Sequence, residues 1–266
     1  MRQIRFQNKT IRYQTYGQGS PVVLLHGFGE SGAVWERQIR ALGQHFCLIV
    51  PDLPGSGASE PLDNDFSLDD LADSVKAITD KELPGKKFHL FGHSMGGYTT
   101  MAFAEKYEEQ LLSFGLVHSS AYPDTDTKKE ARLKGVEFIR KNGGQAFLKT
   151  ITPGLFTEPN QQRHPEYISE LLSLASHITD DTLIAYYNAM MKRPDRSDVL
   201  KSSAVPVLFI IGKFDQVVPL EFSLKQAALP AFSSVHILQN AAHMGMWEEE
   251  ELTNQYILNF LNDSSI

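Results

Sequence analysis

Gly92-His93-Ser94-Met95-Gly96 places a serine between two glycines, after an apolar run and before a helical pattern. A strand that turns sharply into a helix leaves almost no room for side chains. Glycines at 92 and 96 permit the close approach, while Ser94 is held strained at the apex with its hydroxyl presented to solvent. A serine hydroxyl is a poor nucleophile at neutral pH, so it needs a base to take its proton. That base needs an acceptor on its other ring nitrogen to fix the tautomer. His243, in the loop QNAAHMG after VHIL, is the candidate base, and Asp215, in GKFDQVVP after VPVLFII, the candidate acid. His118, which ends an earlier strand, is an alternative base, and Asp124, in SSAYPDTD, an alternative acid. His93 adjoins Ser94 and is expected to point elsewhere as a structural residue; His26 is expected to support its own loop through backbone hydrogen bonds.

Acyl transfer also needs donors for the negative oxygen of a tetrahedral intermediate, and losing one such donor costs about 3 to 4 kcal/mol. The N–H of Met95, next after the nucleophile, and that of Phe28, in the loop HGFGES, are expected to supply them. As a phosphate cradle that loop lacks both the Lys-Ser/Thr ending of a P-loop and the G-x-G-x-x-G spacing of a dinucleotide site. Neither a cofactor nor a metal is expected.

Positioning these groups requires strand ends on one side of a sheet. Short β-rich runs alternate with helical patterns, which builds a mostly parallel sheet with helices on both faces. IRFQNKTIRYQTYG reads as two antiparallel strands turning at Gln7-Asn8-Lys9. Further strands are expected over 21–25, 46–50, 87–91, 111–117, 206–211 and 235–238. Helices are expected over 35–42, 68–83, 95–107, 220–229 and 248–261, with Ser67 capping the second and Asp70 three residues on. Between 119 and 203 the strands stop. Helical periodicity takes over there, with Leu133, Val136, Phe138 and Ile139, then Ile168, Leu171 and Leu172, then Leu183, Ile184, Tyr187, Met190 and Met191. Breaks are expected at Gly143-Gly144, Pro153-Gly154 and Pro194. Residues 1–118 and 204–266 thus form the core and 119–203 an all-helical insert.

A chain of 266 residues, 42% hydrophobic, buries a sizeable core. A net charge of −7, from 25 basic and 32 acidic residues, leaves no excess to neutralise phosphates, so nucleic acid is not an expected partner. Cys47, the single cysteine, lies in FCLIV and is expected in the core. MRQIRFQNKT alternates charged and apolar residues, unlike a secretory leader, and the apolar runs are far shorter than the roughly 20 residues a membrane helix needs. A soluble cytoplasmic protein acting on a small molecule is expected.

From HGFGES through DLPGSG and GHSMGG to GKFD and AAHMG, the sequence resembles the α/β-hydrolase superfamily. The resemblance covers about residues 20–118 and 204–262 and leaves out the insert. It implies the order serine, acid, histidine along the chain, with the acid after the penultimate core strand and the histidine after the last. Those positions hold Asp215 and His243. It gives DLPGSG the role of a tight turn shaping the base of the site. Haloalkane dehalogenases and epoxide hydrolases carry an aspartate where Ser94 stands. Proline iminopeptidases show a GGSWG-type elbow, and the menaquinone-pathway lyases often place an arginine at the position of Tyr98. Cofactor-free haloperoxidases generally differ in the oxyanion loop. What remains is an esterase or lipase-like hydrolase, with a carbon–carbon bond hydrolase and a receptor-like ligand binder on the same scaffold as alternatives. The insert is implied to fold over Ser94 as a cap that selects substrate. Phe156, Tyr186, Tyr187 and Met190, with Phe147, Leu155 and Met191, are expected to line an apolar pocket suited to short or medium acyl esters.

Overall fold

The structure, a computed structural model, describes residues 1–63 and 65–263. Gln7 and Asn8, both at positive φ, fold strand β1 (Arg2–Phe6) back onto β2 (Lys9–Tyr16). Six more strands follow: β3 (Pro21–Leu25), β4 (Cys47–Pro51), β5 (Phe88–His93), β6 (Leu111–Val117), β7 (Val207–Gly212) and β8 (Ser233–Leu238). They form one sheet in the order β1-β2-β4-β3-β5-β6-β7-β8. Only the pairs β1/β2 and β2/β4 are antiparallel; β4, β3 and β5 to β8 run parallel. Every residue of β5 and β7 is buried, because helices cover both faces; β7 accordingly reads as an unbroken apolar run, while β5 carries the buried His89 and His93 among its apolar residues.

The two-residue period of β3 divides the core. Val22 and Leu24 pack on one side with Trp35, Trp247 and Phe260, and Val23 and Leu25 on the other with Leu71, Met101 and Phe103. Helix α1 (Glu36–Leu42) lies on the first side; α2 (Leu68–Glu82) and α3 (Met95–Tyr107) lie on the second. At the start of α2, Ser67 Oγ accepts the Asp70 N–H at 3.2 Å while the Asp70 carboxylate accepts the Ser67 N–H at 2.8 Å, a complete capping box.

Between β6 and β7 the described residues contain helices and no strand: α4 (Asp126–Asn142), α5 (Gly144–Ile151), α6 (Glu158–Arg163), α7 (Glu166–Leu174), α8 (Asp180–Lys192) and α9 (Ser197–Ser202). Gly143 at φ 87°, the turn Thr152–Leu155 and Pro194 interrupt them. Leu133 and Phe138, which share the apolar period of α4, are exposed, although the Phe138 ring meets Phe147 at 5.9 Å. Helix α10 (Leu220–Ala227) follows β7.

The closing helix differs from the sequence expectation. It divides into α11 (Gly245–Glu248) and α12 (Glu250–Asp263), with the backbone turned at Glu249. The extra turn carries Met246 and Trp247 into the core directly after His243, and the Trp247 indole donates to the Val34 carbonyl at 2.9 Å. Likewise the helix expected over 35–42 opens with the 3₁₀ turn Gly32–Trp35. No described helix is long and apolar enough to cross a membrane.

Candidate active site

Ser94 stands between β5 and α3 at φ 50°, ψ −115°, a conformation that costs a non-glycine residue on the order of 1 to 3 kcal/mol. Its surroundings enforce it. The Ser94 N–H donates to the Val117 carbonyl at 3.0 Å, and the Ser94 carbonyl accepts from Gly97 N–H at 2.9 Å and from Ser119 Oγ at 2.6 Å. A Cβ on Gly92 would lie 2.2 Å from the backbone of Gly96, and one on Gly96 would lie 2.5 Å from the Leu25 carbonyl oxygen. Strand β3, the elbow and α3 can therefore approach only as glycines. Ser94 is partly exposed between buried neighbours.

Asp215 and His243 meet in the loops after β7 and β8. His243 Nδ1 donates to Asp215 Oδ2 at 2.8 Å, and both residues are 3% exposed. Asp215 Oδ1 accepts the N–H groups of Val217 and Val218, each at 2.8 Å. Burial pushes the Asp215 carboxyl up, but the charge of His243, the proximity of His118 and the His243 hydrogen bond together hold it well below the usual carboxylate range. An ionised acid on Nδ1 leaves Nε2 of His243 as the basic nitrogen. The base loop is fixed through its main chain: the His243 N–H donates to the Leu155 carbonyl at 3.0 Å, and its carbonyl accepts from His93 Nε2 at 3.0 Å.

The alternative acid and base are placed differently. Asp124, fully buried at its carboxylate, pairs with Arg132 at 2.6 Å and Arg193 at 2.9 Å and stands behind neither histidine. Burial raises its carboxyl, and Arg132 and Arg193 outweigh that and lower it. His118 Nδ1 lies 3.4 Å from Asp215 Oδ2, within electrostatic reach but outside hydrogen-bond geometry, and neither of its ring nitrogens has a partner. Burial brings its imidazole down to about 4, which makes it a weak base at neutral pH. His26 braces its loop, donating from Nδ1 to the Gly27 carbonyl and accepting the Leu53 N–H on Nε2, both at 2.9 Å. In DLPGSG, Asp52 accepts the N–H groups of Gly32 and Ala58, each at 2.9 Å, which closes that turn under the site.

Met95 opens α3, so its N–H is among the first four of a helix and has no intrahelical acceptor. The Phe28 N–H makes no hydrogen bond among the described residues. The Phe28 ring stacks on Tyr187 at 4.5 Å, and Tyr187 meets Phe147 edge-on at 5.7 Å, which links the loop after β3 to the helices of the insert.

The residues expected to line the substrate pocket are divided between two packing clusters. Tyr187 and Met190 are buried in the packing cluster that contains Phe28. Tyr186 is fully buried there with its hydroxyl committed, donating to the Pro54 carbonyl at 2.8 Å and paired with Ser56 Oγ at 2.9 Å. Phe156 belongs to the other cluster, against Trp247 and Tyr167. It also borders a cavity of about 580 Å³ with Asn160, Phe214 and Ala242. A second cavity, about 560 Å³, lies across the loop that carries Gln216 and is bordered by Ser120, Tyr122, Arg193, Val218 and Phe222. Among the described residues, the ligand atoms close enough to share a metal ion are those of His118, Asp215 and His243, within 4.8 Å of one another. Two of those groups are already bonded to each other.

Several groups that shape the site carry no motif. The Leu155 carbonyl, the Ser119 hydroxyl and Gln226, which bridges the Ser119 carbonyl and the Ala121 N–H, act through main-chain contacts that spacing does not announce. Glu30 did leave a trace, as an acid inside the glycine loop HGFGES, and it is 2% exposed and bonded to His93.

A parallel sheet with a strained serine at the end of β5 and a buried Asp–His pair beyond β7 and β8 defines a class, and comparison with known proteins agrees. A family model described as alpha/beta hydrolase fold matches residues 20–133, and the chain belongs to the α/β-hydrolase superfamily. Among solved structures, a thermophilic esterase from Thermogutta terrifontis with malate bound is 30% identical, with a TM-score of 0.91 over 96% of this chain and 94% of that one. An enol-lactonase from Burkholderia xenovorans LB400 has a TM-score of 0.91 over 98% of this chain and all of that one, and at 21% identity shares the fold. Among curated proteins, the 2-hydroxy-6-oxononadienedioate/2-hydroxy-6-oxononatrienedioate hydrolase of Escherichia coli K12 is 29% identical over 95% of this chain and 92% of its own length.

Proposed function

We propose that this α/β hydrolase cleaves carboxylic esters of small to medium acyl groups through an acyl-enzyme on Ser94. Ser94 Oγ attacks the acyl carbon as His243 Nε2 takes its proton. The imidazolium, held by Asp215, returns that proton to the departing alkoxide oxygen. Water then attacks the acyl-enzyme with His243 again as base, which releases the acid and restores the serine. The N–H groups of Met95 and Phe28 are the proposed donors to the tetrahedral oxygen. The observation that carries this reading is the buried 2.8 Å bond between Asp215 and His243, whose backbone is tied to the residue preceding Ser94. Tyr187, Phe156 and Met190 stay candidate substrate contacts, whereas the Tyr186 hydroxyl is taken up by Ser56 and Pro54.

Ser94→Ala, assayed on p-nitrophenyl acetate and butyrate, is expected to lower turnover by about 10³-fold or more. Unchanged turnover contradicts the reading. Cleavage of a carbon–carbon bond is the second reading, supported by the Escherichia coli relative. A parallel screen of simple esters against vinylogous 1,5-diketones separates the two, with the larger kcat/KM expected for the esters.

A further inference from the structure

His93 is fully buried between Gly92 and Ser94, and its two ring nitrogens face only acceptors. Nε2 lies 3.0 Å from the His243 carbonyl oxygen, so Nε2 carries a proton. Nδ1 lies 3.1 Å from both carboxylate oxygens of Glu30, whose side chain is 3% exposed. Glu30 Oε2 also accepts the Gly27 N–H at 2.6 Å. Two carboxylate oxygens equidistant from Nδ1, one of them already accepting from Gly27, favour an ionised Glu30 with the shared proton on Nδ1. A Cβ placed on Gly27 would lie 3.1 Å from each of Glu30 Oε2, His93 Nδ1 and Ser94 Cβ, so carboxylate, imidazole and nucleophile converge on one backbone carbon.

The other titratable groups around His93 are His26 at the end of β3, His118 at the end of β6, and Asp215 and His243 in the loops after β7 and β8. His26 and His118 have no second proton to lend, the first because Leu53 donates to it, the second because burial keeps it neutral. Removing the proton between His93 and Glu30 would leave an uncompensated charge in a sealed interior, which is strongly disfavoured.

We infer that His93 and Glu30 form an imidazolium–carboxylate pair that positions three segments at once: the oxyanion loop through the Gly27 N–H, the nucleophile through the chain at Ser94, and the base through the His243 carbonyl. The inference rests on the ester hydrolysis proposed above and makes both residues positioning residues. His93 reaches His243 by its main chain, so it sets where the base stands rather than which proton it takes. A misplacement of the order of 1 Å at such a centre lowers kcat about 10²-fold while leaving ground-state binding largely intact.

Two measurements test this. Imidazole ¹⁵N NMR, with His93 assigned by its absence in His93→Gln, is expected to show protons on both His93 nitrogens at pH 8, where a free imidazole has lost one. An Nδ1 that is bare at pH 7 overturns the pair. In steady-state kinetics, Glu30→Gln is expected to lower kcat about 10- to 100-fold with KM within about threefold, and Glu30→Asp to recover part of the loss. The double variant Glu30→Gln/His93→Gln is expected to be no slower than the slower single variant, because the two act as a unit. Additive losses, or losses confined to KM, overturn the assignment. Should Glu30→Gln fail to fold, the wild-type proton count still decides. A wild-type protein whose Ser94 resists a fluorophosphonate contradicts the ester reading, and the proton count on His93 then decides the pair independently.

Discussion

Asp215 divides its carboxylate between two backbone N–H groups and one imidazole, and its amide cannot do the same. In Asp215→Asn the carbonyl oxygen still accepts from Val217 and Val218, but the amide NH₂ then faces His243 Nδ1. The ring must take the other tautomer, with its proton on Nε2, where it cannot serve as the base for Ser94. A fall in kcat of about 10⁴-fold is expected, with KM little changed, measured by steady-state kinetics on the better p-nitrophenyl ester. At this scale the sequence was legible where chemistry dictates residue type. Ser94, His243 and Asp215 follow from what a weak alcohol requires, and the structure brings the latter two together. Glu30 and His93 were not legible in that way. Their role arises from burial and mutual contact across the fold, which spacing along the chain does not record.

Elements place these side chains through close backbone approach, and substitutions that spoil the approach act on folding first. Gly92→Ala puts a methyl 2.2 Å from the backbone of Gly96, where neither strand nor helix can yield. A loss of about 3 kcal/mol or more is expected, read as a fall in the urea midpoint at constant slope. Ser67→Ala, which removes one half of the capping box on α2, is expected to cost about 1 kcal/mol by the same measurement and to leave kcat unchanged. Strand identity was readable from apolar runs, and the β1–β2 turn from Gln7-Asn8. The division of the last helix was not, since it follows from how Trp247 must reach Val34 rather than from any local propensity. The scatter of the expected pocket residues has the same origin. Periodicity shows which face of a helix is apolar but not which neighbour covers it, so Phe156 and Tyr187 read alike and pack apart.

For the whole molecule, the buried histidines set the response to acid. Burial brings both His118 and His89 down to about 4 from an ordinary 6.5. Between those values the unfolded chain binds protons that the folded one refuses. Stability is therefore undiminished above pH 6.5 and falls as pH drops to about 4, by roughly 3 kcal/mol for each histidine. Asp215 and Glu30, both lowered, add losses at still lower pH. His93 is shifted the other way: burial lowers it, but the Glu30 charge raises it further, so its contribution is full below pH 6.5 and lost only as pH climbs through its raised value. Cooperative unfolding is expected on acidification toward pH 4. His118→Asn, which suits the positive φ at that position, is expected to flatten the decline in Tm between pH 7 and pH 5. Every step of the proposed chemistry depends on Ser94 as the residue that takes the acyl group. Treating the native protein with a fluorophosphonate and mapping the adduct by mass spectrometry tests this directly. One adduct per chain is expected, on the peptide containing Ser94, formed in step with loss of esterase activity and absent from Ser94→Ala. An adduct elsewhere, or an active protein that takes none, contradicts it.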